Sequence, residues 1–201
     1  MNVYGRIITR GDVRDAVTDH LQEWSQAYIG EVAVQRGKGR CDLPQFRSFR
    51  FSTEDVDKWP DDQLPACVVV CPGLADTPDR QGDGVHDGEW SVGVGVIVSA
   101  RDQESTDELV GIYTAAVRAA LIQHPSLGGF ASGVRWIDED TIPSLGFDDS
   151  RTIAGGRVVL GVKVDAVVDS FGGPKAAPDD PCVDPGNYPV VQATPLTTEQ
   201  G

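Results

Sequence analysis

Two rows of alternating residues constrain this chain more than anything else in it. From Glu89 to Ala100, Trp90, Val92, Val94, Val96 and Val98 alternate with Ser91, Gly93, Gly95, Ile97 and Ser99, which is the two-residue period of a strand with one bulky apolar face and one small face. From about Gly156 to Asp169, Val158, Leu160, Val162, Val164, Ala166 and Val168 alternate with Arg157, Gly161, Lys163, Asp165 and Asp169. Each strand needs a cover for its apolar side. Pairing the two antiparallel makes one valine floor that a layer of helices can bury.

Two such helices are legible. Ser105 with Glu108 three residues later has the form of a capping box, and Leu109, Tyr113, Ala116, Val117, Ala120 and Leu121 follow as a stripe down one side of a helix that Pro125 ends. Near the start of the chain Asp12 is a good N-cap, and Val13, Ala16, Val17, Leu21, Trp24 and Tyr28 predict a helix from about Val13 to Ile29, stopped at Gly30. His20 lies on that stripe and reads as a satisfied or half-buried side chain before it reads as a ligand. The fold class that follows is α+β: a mostly antiparallel sheet covered on one face by two amphipathic helices.

The remaining text is less regular. Residues 3–8 form a short strand or a lead-in. Residues 31–65 read as a long loop with one or two short strands, at VAV and RSFRF, separated by exposed turns in RGKGR and KWPDDQLP. There Arg47, Arg50 and Lys58 interleave with Phe46, Phe49, Phe51 and Trp59. The pattern superficially suits stacking on single-stranded nucleic acid, but a half-buried strand explains it more simply. Ala66 to Cys71 is a continuous apolar run, a buried strand. Residues 72–88 form a second long loop, acidic and rich in glycine. After a turn-rich bridge, VRWIDEDTIPSLG reads as a strand with a polar far end, where Asp138, Glu139 and Asp140 make a solvated edge. Residues 1–171 are expected to form the core domain, and 172–201 an extended tail rich in Pro and Asp.

Charge excludes some functions. With 31 Asp and Glu against 17 Lys and Arg, the net charge of -14 disfavours non-specific binding to phosphate backbones or anionic lipid. No run of about 18 apolar residues is present to span a membrane, and the first residues lack the apolar core of a secretory signal, so folding in a cytoplasm is expected. Cys41, Cys67, Cys71 and Cys182 form no CxxC pair. A strand would hold Cys67 and Cys71 roughly 13 Å apart at about 3.3 Å per residue, too far for a disulfide, and buried thiols are the simpler reading.

The acidic loop is the one candidate for chemistry. Counted as a calcium loop from Asp79 it offers Gln81, Asp83, Gly84 at the sixth position and Asp87 at the ninth, but Trp90 stands at the twelfth, where a glutamate belongs. Asp83, His86 and Asp87 could supply an acid and a base, with no nucleophile beside them. No phosphate cradle, GxSxG, HExxH or Walker sequence occurs. No catalytic residue, cofactor or metal site is therefore assigned.

In order, the segments LPACVVVCPGL, EWSVGVGVIVSARDQESTDELVGIYTAAVRAALIQHP and GGRVVLGVKVDAVVD resemble the tail terminator proteins of long-tailed phages, particularly those of actinobacterial hosts, over roughly Val13 to Asp169. The tail after Phe171 departs from the compact versions of that family. The resemblance implies a structural virion protein at the tail–neck junction, assembled in the host cytoplasm as a ring, usually of six copies. Such a ring caps the tail tube built from the major tail protein, stops its polymerisation and meets the head-side connector. Exposed sheet edges completed by neighbouring copies suit a ring, and an acidic channel lets genomic DNA slide through without binding. The tail and the acidic loop are candidates for partner contacts. A head–tail stopper or connector is the neighbouring reading. A small metal-dependent enzyme using Asp79, Asp83, His86 and Asp87, and a cellular binding module, are the readings from other classes.

Overall fold

The first helix begins where a threonine and an aspartate can satisfy each other's backbone. In the computed structural model, which describes residues 7–169 apart from 55, 83, 149 and 150, α1 spans Arg10–Gln35. Thr9 is its N-cap. The Asp12 N–H donates to Thr9 Oγ1 at 3.3 Å, and the Thr9 N–H to Asp12 Oδ2 at 2.7 Å. Asp12 is thus the third helical residue, closing a capping box, and not the cap itself. Gly30 does not stop this helix. It is buried in mid-helix, where a Cβ would stand 2.9 Å from Arg40 Cγ and 3.0 Å from the Arg40 carbonyl oxygen, so glycine serves there to let the following loop cross closely. The expected VAV strand is therefore the last part of α1.

The second helix, α2, spans Gln103–Gln123. Its N-cap is Asp102, which accepts from Ser105 N at 2.8 Å and Ser105 Oγ at 3.0 Å. The expected Ser105/Glu108 box is displaced by one turn, and Glu108 pairs instead with Lys38 at 2.9 Å. The predicted stripe is otherwise in place: Tyr113, Ala116, Val117, Ala120 and Leu121 are buried, with Leu109 packed against them.

Six strands form one sheet: β1 (Ser48–Arg50), β2 (Ala66–Leu74), β3 (Asp79–Arg80), β4 (Val85–Ala100), β5 (Gly133–Asp148) and β6 (Arg151–Asp169). The order is β1-β2-β4-β6-β5, with β3 beside the start of β4. All pairings are antiparallel except β1 with β2. The two valine rows pair as expected, Val92 opposite Leu160 and Val94 opposite Val158. Val92, Val94, Val96, Val98, Val158, Leu160, Val162 and Val164 are each at most 1 % exposed beneath the helices, every such side chain contributing about 1.5–3 kcal/mol of burial. At Gly156, opposite Val96, a Cβ would overlap Thr114 Oγ1 and stand 3.0 Å from Val110 Cγ1. That glycine lets α2 lie directly on the sheet.

Three further expectations are corrected or refined. The alternation of β6 holds only to Val164. Ala166 takes φ +55°, the pairing with β4 shifts between His86 and Gly88, and Val168 ends 42 % exposed, with Ile7 bridged to it. Residues 31–65 are mostly exposed, as expected, but Val56, Trp59 and Leu64 in their second half fold under the opposite face of the sheet and make a small second core with Ala66, Val68, Ile97 and Ile153. Most of segment 72–88 is likewise paired, since β2 runs to Leu74, β3 pairs with β4, and β4 starts at Val85. The predicted tail, 172–201, lies outside the described residues.

Candidate assembly surface

The aromatic and basic residues near β1 are consumed by packing. Phe46 is buried against Phe49 and Tyr113 at ring distances of 5.8 and 5.3 Å. Arg50 lies over the Trp59 ring at 4.3 Å and hydrogen-bonds Gln63, while Arg14 covers Phe51 at 3.9 Å. No row of free rings is left there for stacking on bases. His20 is equally occupied. Its Nε2 lies 3.2 Å from the Ala120 carbonyl oxygen, so that nitrogen carries the proton and donates, and Trp24 stacks on His124 at 4.3 Å beside it. Burial pulls His20 below its ordinary value, against the Ala120 hydrogen bond. Burial also pushes the thiols of Cys67 and Cys71 upward, which makes them poor nucleophiles.

The acidic hairpin is a structural arm. Asp79 stands opposite Asp87, and Arg80 opposite His86. The Asp87 carboxylate is committed on both oxygens: Oδ2 accepts from Gln81 Nε2 at 2.7 Å, and Oδ1 from the Ala166 N–H at 2.9 Å. The second bond satisfies the backbone where β6 leaves regular geometry. Asp83 lies outside the described residues, so its relation to Asp79, His86 and Asp87 is not described. Among the described residues no group of three His, Cys, Asp or Glu converges as a metal site, and no helix is long and apolar enough to cross a membrane.

Two of the open features belong to the sheet. β5 is its outermost strand, bonded to β6 alone, so its outer backbone edge has no strand partner among the described residues. Along it Trp136, Ile137 and Ile142 are 49 %, 43 % and 44 % exposed. The neighbouring carboxylates are more tied down than a solvated edge predicts. Glu139 pairs with Arg118 at 2.7 Å, Asp140 with Arg157 at 2.6 Å, and Arg118 also lies over the Trp136 ring at 4.7 Å. Register shifts at Trp136/Asp138 and Ile142/Gly146 bend the strand. Bends of this kind discourage indiscriminate pairing and leave the edge to a partner shaped for it.

The second feature is a groove of about 350 Å³ on the sheet face away from the helices. Gly93 and Gly95 form its floor, and Val70, Val159, Ile142 and Thr53 rise around it. Sequence reasoning missed it, although the small side of the Glu89–Ala100 alternation was its signal.

The structure is that of an α+β protein with a two-helix layer on one face of a six-stranded sheet. No protein-family profile matches the chain, and no curated protein matches it. A matching solved structure is a chain described as "Virion of native gene transfer agent (GTA) particle", 11 % identical, with a TM-score of 0.41 and coverage of 77 % of this chain and 96 % of that one.

Proposed function

We propose that this protein is a structural component of a virion, a ring-forming tail terminator that caps the tail tube, stops its growth and joins it to the head-side connector. The observation that carries the proposal is the long outer edge of β5, which has no strand partner among the described residues, with Trp136, Ile137 and Ile142 exposed beside it. A sheet edge of this length is a template for main-chain hydrogen bonds with another chain. A contact between different surfaces of identical copies closes into a ring when its rotation allows. The order of helices and strands agrees with the text that resembles tail terminators, and that resemblance supplies the usual count of six copies and the two neighbours, tail tube and connector. With a net charge of -14, such a ring leaves genomic DNA unbound in its channel.

The role is structural and not enzymatic. Asp87, the best-placed carboxylate of the acidic arm, serves Ala166 and Gln81 in the fold. A stopper or connector occupies the other side of the same joint and makes the same kind of ring contact. Immunogold labelling of virions that contain this chain separates these positions. Label at the junction of tube and neck supports the terminator, label within the neck above the tube supports the stopper, and label at the tail tip or on the capsid shell refutes both.

A further inference from the structure

Glycine inside a strand weakens it relative to alanine, and a native strand keeps one where something must come close. Gly156 has such a reason in α2. Gly93 does not: a Cβ built there meets nothing nearer than the Val70 carbonyl oxygen at 4.0 Å, and at Gly95 it meets only ordinary contacts, the nearest Val68 Cβ at 3.5 Å. Both point into the groove on the helix-free face, between Val70 and Val159. At one end of this face the segment containing Val56, Trp59 and Leu64 already covers Ile97 and Ile153. Among the described residues the remainder is bare, and its lining offers few polar groups to orient a small polar ligand.

We infer that the groove is the docking site of the chain's own C-terminal segment around Tyr188–Val191. In a protein of net charge -14, the twelve residues NYPVVQATPLTT, Asn187 to Thr198, carry no charge. Tyr188 and Thr194 each precede a proline, which biases both to extended backbone. Tyr188, Val190 and Val191 are residues suited to a pleated apolar surface. The reach is sufficient. β6 is described to Asp169, ten residues along the strand from Val159 and so roughly 33 Å away at about 3.3 Å per residue. The eighteen residues 170–187 are long enough to bridge up to about 60 Å. Tethering at that length gives an effective concentration on the order of millimolar, so a weak apolar contact is held. The inference holds whether or not the chain forms a ring.

The test uses the full-length chain with photoreactive p-benzoylphenylalanine in place of Tyr188, mixed as light and heavy isotope copies and mapped by mass spectrometry. Crosslinks within one copy to β2, β4 and β6 around Val70, Gly93 and Val159 are expected. Gly93→Leu fills the groove and should lower their yield at least fivefold with the far-UV circular dichroism unchanged. If that variant unfolds, Val190→Asp with Val191→Asp keeps the question open to test, because both changes lie in the tail: binding of an apolar dye should rise severalfold as the groove is bared. Crosslinks to other surfaces, crosslinks between copies, unchanged crosslinking in a folded Gly93→Leu variant, or unchanged dye binding in the tail variant would each overturn the inference.

Discussion

Gly156→Ala is the sharpest local probe of how closely α2 lies on the sheet. The added Cβ overlaps Thr114 Oγ1 and stands 3.0 Å from Val110 Cγ1. Overpacking of a dense core costs typically about 1–3 kcal/mol, and replacing a strand glycine returns roughly 0.5–1 kcal/mol, so the variant should be destabilised by about 1–2 kcal/mol. In a domain of this size that lowers Tm by roughly 2–8 °C. Thr114 provides the control, because its hydroxyl is buried without a hydrogen-bond partner among the described residues. Thr114→Ala loses a methyl worth about 0.8 kcal/mol but relieves an unsatisfied polar group of similar cost, and should be nearly neutral. In the double variant most of the overlap is gone, so the Gly156→Ala penalty should fall by about 1 kcal/mol or more, a coupling that a double-mutant cycle resolves. Urea unfolding followed by circular dichroism measures all four proteins. A stabilising Gly156→Ala, or a penalty that Thr114→Ala leaves unchanged, would refute the close seating of α2.

Three other outcomes are expected. His20 is held below the ordinary imidazole value of about 6.5 by burial, so the unfolded chain takes up a proton before the folded chain does. Its contribution to stability is complete above about pH 6.5 and is lost as pH falls toward the folded-state value; a urea midpoint that stays flat from about pH 7 to 5, or an NMR titration of His20 above 6.5, would contradict this. Among the cysteines of the described residues, alkylation mapped by mass spectrometry should modify exposed Cys41 first and fully buried Cys67 last, the order reversing only if β2 opens. Calorimetric titration with calcium, magnesium or zinc should give no saturable heat, and a saturable signal abolished by Asp87→Asn would restore the acidic arm as a metal site.

The strand rows were legible because alternation is a local property that the sheet preserves. Trp90 to Val98 and Val158 to Val164 face the helices as their spacing requires. Helix ends were misread where tertiary contacts decide them. Gly30 looks like a stop until Arg40 crosses it, and Asp102 and Ser105 are both good caps, separated only by which one the chain leaves outside the helix. The second core under the sheet draws Val56, Trp59 and Leu64 from a segment with no period at all, so pattern reading could not find it. The end of β6 departs from alternation at Ala166, where an aspartate nearly eighty residues earlier holds the backbone. The open edge of β5 was foreseeable only in outline, because pairing order is set by the whole sheet, whereas its charged run Asp138 to Asp140 was visible and its arginine partners on α2 and β6 were not.

Native mass spectrometry of the purified full-length protein tests the assembly claim most directly. A closed species at six times the subunit mass is expected, dissociating to monomer when Ile137→Lys places a charge on the exposed β5 edge and circular dichroism shows the fold intact. A wild-type protein that stays monomeric at high concentration, or a ring that Ile137→Lys leaves whole, would contradict assembly through that edge.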